Sequence, residues 1–116
     1  VKVKTTITPL EDGFDIRVQT WGCPESTIRF EFGIVPNVLI RGEGFRIPAN
    51  AGGSLIADKG ELTLFDGKDM LTIGPAFAAN DVIKGLFGAE PASEERFNLY
   101  FNDVTNFDRH FSIRTK

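Results

Sequence analysis

The sequence predicts an all-β domain, an antiparallel β-sandwich of jelly-roll-like type, formed as a single domain over residues 1–116. Three observations carry this. Short stretches of alternating apolar and polar residues recur along the chain, each bounded by Gly, Pro, Asn or Asp, and helical periodicity is nearly absent. The eleven phenylalanines fall mostly at alternate positions. Burying a Phe or Ile fully stabilises by about 1.5–3 kcal/mol, so these residues read as core. The chain is also long enough for one domain to remove roughly two thirds of its unfolded surface from water. The spacing of its segments suits a sandwich or a flattened barrel.

Strands are predicted at 2–8, 13–20, 26–33, 38–41, 44–47, 54–57, 61–65, 69–73, 96–101 and 107–114. The first, in VKVKTTITPL, starts at once with alternation and without an initiator Met, and is expected to belong to a longer protein. FDIRVQTW places Phe14, Ile16, Val18 and Thr20 on one face and Asp15, Arg17 and Gln19 on the other. TIRFEFG repeats the pattern with Ile28, Phe30 and Phe32 opposite Arg29 and Glu31. Both strands read as half-buried with one wet side. RIPANAGGS reads as a Gly-rich turn region.

GELTLFDGKDMLTIG reads as a hairpin. With Gly67 and Lys68 as the central turn residues, Phe65 faces Met70, Leu64 faces Leu71, Thr63 faces Thr72 and Leu62 faces Ile73. Every pair matches in character, and a shift of the loop would mismatch them. Gly at the first central position suits a type II′ turn.

Residues 74–95 form a long excursion in which Asn80 or Asp81 is placed to cap a short helix carrying Val82, Ile83, Leu86 and Phe87. It is expected either to cover an open end of the sandwich or to serve as a binding loop. The closing segment NLYFNDVTNFDRHFSIR reads as a second hairpin, with Phe97, Leu99 and Phe101 meeting the core beside Phe107, Phe111 and Ile113. Asn98, Tyr100, Asp108, His110, Ser112 and Arg114 then share the wet side, and His110 stands across from Asn98 or Tyr100. Arg109 falls on the Phe face. It is expected to snorkel at the sheet edge or to meet a carboxylate from a loop, because a buried unpaired guanidinium is prohibitive.

The net charge of −3 and scattered Lys and Arg offer no phosphate-neutralising cluster, so nucleic acid is not an expected partner. Apolar runs fall far short of the roughly 20 residues that span a bilayer, so no membrane insertion is expected. No cofactor or metal is expected either: a transition-metal site needs about three or four N, S or O ligands, and the chain has one His and one Cys. The acids of DGKD flank a tight turn and do not converge as calcium requires. Nothing in the sequence brings Cys23 to His110 as a nucleophilic pair, and Cys23 is expected in a turn or packed as a small hydrophobe. Sugar-binding modules present aromatic faces that tolerate partial exposure. Trp21, at a strand end in QTWGCP, and the outward Tyr100 are the candidate ligand platform, with His110 as a further contact, although a lone Trp at a strand end also serves as a lid over the core.

Two stretches carry a resemblance. GELTLFDGKDMLTIGPAF, followed after an insertion by RFNLYFNDVTNFDRHFSIR, resembles the C-terminal β-sandwich region that follows the helical catalytic domain in heparinase II/III-like bacterial proteins and related polysaccharide-processing enzymes. The shared features are a strand, a DG turn, a strand ending in Ile-Gly-Pro and a closing hairpin ending in FSI, all in the last half of the chain. The resemblance implies an accessory domain of a secreted or periplasmic bacterial protein that handles polysaccharide. That family's catalytic residues lie largely in or near the helical domain, so none is carried onto this chain. The expected function is therefore a non-catalytic module contacting a polysaccharide or packing on a neighbouring domain of the same protein. The alternative is a self-contained interaction or oligomerisation domain without sugar affinity.

Overall fold

The computed structural model describes residues 2–22, 24–80 and 94–115. Cys23 and the helix expected within 81–93 lie outside the described residues. The strands are β1 (Lys2–Leu10), β2 (Gly13–Trp21), β3 (Thr27–Ile34), β4 (Leu39–Gly42), β5 (Phe45–Pro48), β6 (Ser54–Ile56), β7 (Leu62–Phe65), β8 (Met70–Gly74), β9 (Phe97–Val104) and β10 (Asp108–Thr115). They form a β-sandwich of two unequal sheets: a large one in the order β1-β2-β10-β8-β7-β4-β5 and a small one in the order β3-β9-β6.

The chain distributes its strands regularly. The hairpins β1–β2, β4–β5 and β7–β8 all belong to the large sheet, and each is followed by one strand of the small sheet before β10 returns to the large one. No two strands of the small sheet are consecutive in sequence. Its pairings are β3 with β9, antiparallel, and β6 with β9, parallel.

The β7–β8 hairpin has the register its alternation predicts, Leu62 opposite Ile73 through Phe65 opposite Met70. Its turn contains Gly67 at φ +98°, a conformation glycine adopts without a Cβ clash. The Asp66 carboxylate closes the turn by accepting the Lys68 and Asp69 N–H groups at 2.9 and 2.7 Å. Glycine is also required at Gly13, where a Cβ would lie 1.9 Å from the Ile113 carbonyl oxygen of β10.

The closing segment does not form the expected hairpin. β9 is the central strand of the small sheet, whereas β10 pairs with β2 and β8 in the large one. The physical reason lies in the connection between them, which is bonded to the β2–β3 crossing. The Thr105 N–H donates to Ser26 O at 2.8 Å and the Thr20 N–H to Phe107 O at 2.9 Å. The Thr105 hydroxyl accepts from the Ser26 N–H and donates to Pro24 O. Two crossings thus run side by side, and each satisfies the other's buried polar groups.

The core between the sheets contains Ile40, Leu62, Leu64, Ile73, Phe77, Phe97, Leu99, Phe101 and Phe111, and the last four are there as the alternation anticipates. Phe111 is its aromatic hub, meeting Phe32 at 5.5 Å, Phe101 at 5.7 Å and Phe30 at 6.0 Å, all edge-to-face. Arg109 behaves as expected: its head is half exposed, its Nε donates to Asp103 at 2.6 Å, and the guanidinium lies 4.9 Å from the Phe77 ring centre. The acid comes from β9 itself instead of a loop.

Phe14, predicted to be buried, is 52% exposed. The small sheet covers β10 and the inner side chains of β2 as far as Ile16 and Val18 but leaves the margin of the large sheet bare. Phe111→Ala is accordingly expected to lower the unfolding free energy by about 3–5 kcal/mol, and Phe14→Ala by less than about 1 kcal/mol, in urea denaturation followed by Trp21 fluorescence.

Candidate functional site

The candidate ligand residues are divided between the two sheets. Trp21 ends β2 and His110 lies mid-way along β10, both on the outer face of the large sheet. Trp21 is 44% exposed, and His110 is exposed beside Arg17, its cross-strand partner, with Asp108 two residues away on its own strand. Neither expected partner, Asn98 or Tyr100, is across from it.

Tyr100 is not a surface platform; its exposure is 0%. It lies on the outer face of the small sheet, in a row with Asn98 and Asn102, and all three are buried where alternation predicted a wet side. The asparagines explain how this face tolerates burial. Asn102 accepts at Oδ1 from the N–H groups of Ala79 and Asn80, at 2.8 and 3.2 Å, and donates from Nδ2 to Asn80 O at 2.9 Å. Asn98 donates to the carbonyls of Gly53 and Arg96. These amides serve as peptide groups for segments laid over the strand, whereas the buried Tyr100 hydroxyl has no hydrogen-bond partner among the described residues. The Tyr100 ring packs against the Arg29 guanidinium, 4.7 Å from the ring centre, and burial pushes its hydroxyl pKa up, with Glu31 adding to the shift.

The outer face of the large sheet gathers Asp15, Arg17, Asp108 and His110 around a shallow depression of about 430 Å³. Cross-strand register places them together: His110 faces Arg17 and Ser112 faces Asp15. Arg17 grips Asp108 with both ends of its guanidinium, Nε to Oδ1 at 2.9 Å and Nη2 to Oδ2. This charge-assisted bond holds the Asp108 carboxyl below its usual range and raises Arg17. Asp108 is therefore a fixed anion near neutral pH, suited to accepting hydrogen bonds and not to proton transfer. Among the described residues, no group of three or more His, Cys, Asp or Glu side chains is placed to hold a metal ion.

A second surface was not foreseen. On the inner side of β1 and β2, Val3, Ile7 and Phe14 are 54%, 60% and 52% exposed. The register places Ile7 beside Ile16 and Pro9 beside Phe14, so these residues continue the core-facing row past the edge of the small sheet. The sequence signal was faint: Val3, Thr5, Ile7 and Pro9 alternate as a strand should, but threonine and proline dilute the apolar side.

Comparison with family models, curated proteins and solved structures gave no match to the chain.

The carboxylates fix the acid response. Asp12 is lowered by its Arg114 hydrogen bond, Asp66 by the Asp69 and Lys68 N–H groups, and Asp108 by Arg17. A depressed folded-state pKa gives stability that is present above the unfolded value and lost as pH falls through the folded value. Thermal unfolding midpoints are expected to drop below about pH 4. Asp66→Asn, which keeps the turn's acceptor but cannot titrate, is expected to flatten that drop in calorimetric scans.

Proposed function

We propose that the chain is a non-catalytic β-sandwich module of a larger bacterial protein and that it acts by packing the inner face of β1–β2 against a neighbouring domain of the same polypeptide. The observation that carries this is the run Val3, Ile7 and Phe14, exposed on a face with no charged side chain. Contiguous exposed apolar surface of this kind marks an association site.

Its size favours a tethered occupant. A nine-residue strand and its neighbour offer a face of about 30 by 10 Å, or about 300 Å². Burial of about 600 Å² over both partners lies at the low end for domains within one chain, about 600–1,500 Å². It falls short of the about 1,200–2,000 Å² typical of stable complexes between free proteins. The resemblance of the last half of the chain to heparinase II/III-like accessory domains supports a secreted or periplasmic parent protein that handles polysaccharide.

A second reading, glycan contact, is favoured by Trp21, which is exposed on the same outer face as the depression lined by Arg17, Asp108 and His110. An aromatic face beside paired charges suits the apolar and hydroxyl-bearing sides of a sugar.

Amide exchange on the polypeptide as its gene encodes it is expected to show the Val3–Thr8 amides protected relative to the isolated chain, and Ile7→Ser with Phe14→Ser to remove that protection. The isolated chain is expected to sediment as a monomer at high micromolar concentration. A stable dimer would favour the oligomerisation alternative, and unprotected β1 amides in the encoded protein would sink the docking reading. For the glycan reading, array binding lost in Trp21→Ala is expected; no binding by the wild type at millimolar sugar removes it.

A further inference from the structure

Among the described residues β1 pairs with β2 alone, so its other side is an open edge of the large sheet. It is the longest edge strand there, and all of Lys2–Leu10 is exposed, whereas β5 and β6 are blunted by lengths of four and three residues. The phase of the β1–β2 ladder follows from a bond on the far side of β2. The Thr20 N–H donates to Phe107 O, so the even-numbered residues of β2 turn their main-chain groups toward β10 and the odd-numbered ones toward β1. Gln19, Arg17 and Asp15 pair with Lys4, Thr6 and Thr8, whose N–H and C=O groups therefore bond β2. Val3, Thr5 and Ile7 turn theirs outward. Pro9 has the same phase, where its missing N–H removes no bond from the sheet.

From this geometry we infer that the neighbouring domain docks by adding a strand of its own to β1. The inference rests on the docking reading above and specifies its form. Outward main chain and bare inner side chains belong to the same residues, Val3, Thr5 and Ile7, so one extended segment satisfies both. Its main chain bonds their N–H and C=O groups, and its inward side chains extend the apolar row past Val3 and Ile7. Lys2 and Lys4 define the other side of the segment. They face Trp21 and Gln19 on β2, with no acid opposite, and opposite charges across paired strands are favourable. The incoming strand therefore alternates apolar residues with acids, while the same two lysines guard the edge against strands that lack them. A segment of about five residues, roughly 17 Å long, spans Val3 to Ile7.

The test is residue-resolved amide exchange on the polypeptide as its gene encodes it, with the isolated chain as reference. The gain in protection is expected to be at least about tenfold larger at Val3, Thr5 and Ile7 than at Lys4, Thr6 and Thr8, which β2 already holds. Thr5→Pro removes one outward N–H and sets a ring in the path of an added strand, yet leaves the β2 ladder whole, as Pro9 does. It is expected to abolish the gain at Val3 and Ile7 with Lys4, Thr6 and Thr8 keeping the protection they have in the isolated chain. Thr5→Val, which retains the N–H, is expected to preserve the gain. Lys2→Glu with Lys4→Glu is expected to reduce it by about tenfold, and indifference to that reversal would overturn the acidic row of the partner. Equal gains at the two sets of amides, or a gain at Val3 and Ile7 that survives Thr5→Pro, would overturn strand addition and leave docking through side chains standing. No gain at any β1 amide would remove the docking reading itself. The alternate pattern arising in the isolated chain as its concentration is raised would make the occupant a second copy and overturn the tethered strand.

Discussion

The ring of Phe111 is where the two sheets are joined. It projects from β10 of the large sheet into Phe30 and Phe32 of β3 and Phe101 of β9, at 6.0, 5.5 and 5.7 Å. The small sheet depends on such contacts more than the large one does. Three hairpins give the large sheet local pairings, but β3, β6 and β9 come from separate parts of the chain. Their alignment requires long loops to close, and cross-sheet aromatic contacts and the bonded crossings at Thr20 and Thr105 are what reward that closure.

Much of this was legible in the sequence. Alternation gave the strands nearly to the residue, and the β7–β8 register followed from matching Leu62, Thr63, Leu64 and Phe65 to their partners. Alternation also placed Arg109 correctly as the polar residue on a Phe face. Pairing partners were less accessible. A short segment between two amphipathic strands reads equally as a hairpin turn or as a passage between layers, since both put Phe101 and Phe111 into the same core. The bonds of Thr105 to Ser26 and Pro24 and of Phe107 to Thr20 separate the two, and they join residues about eighty to ninety positions apart.

The candidate site was less legible for a related reason. Tyr100 was expected at the surface because it shares with Asn98 the side of the strand opposite Phe97, Leu99 and Phe101, a pattern that normally marks the wet side. The side-chain amide carries the same donor and acceptor as the peptide group, so such a row accepts backbone as readily as water. The long excursion at 74–95 was the clue, since its described start, through Asn80, binds Asn102. His110 was placed correctly at the surface and Trp21 was left between an exposed rim and a lid over the core, whereas Phe14 was assigned to a core that the narrower sheet does not extend far enough to cover.

Asn102 has a consequence for what this protein tolerates. Its amide holds Ala79 and Asn80 through their main-chain N–H and C=O groups, and the Asn102 backbone N–H donates to Phe77 O at 3.0 Å. Recognition by main chain is blind to side-chain identity. At Ala79 β9 thus fixes the path of the incoming segment without reading its side chain, whereas on either side Phe77 is held by the core and Asn80 by the bond its Nδ2 donates to Thr27 Oγ1 at 3.1 Å. Position 79 is therefore where one side chain can be exchanged for another while the strand beneath keeps its amide bonds.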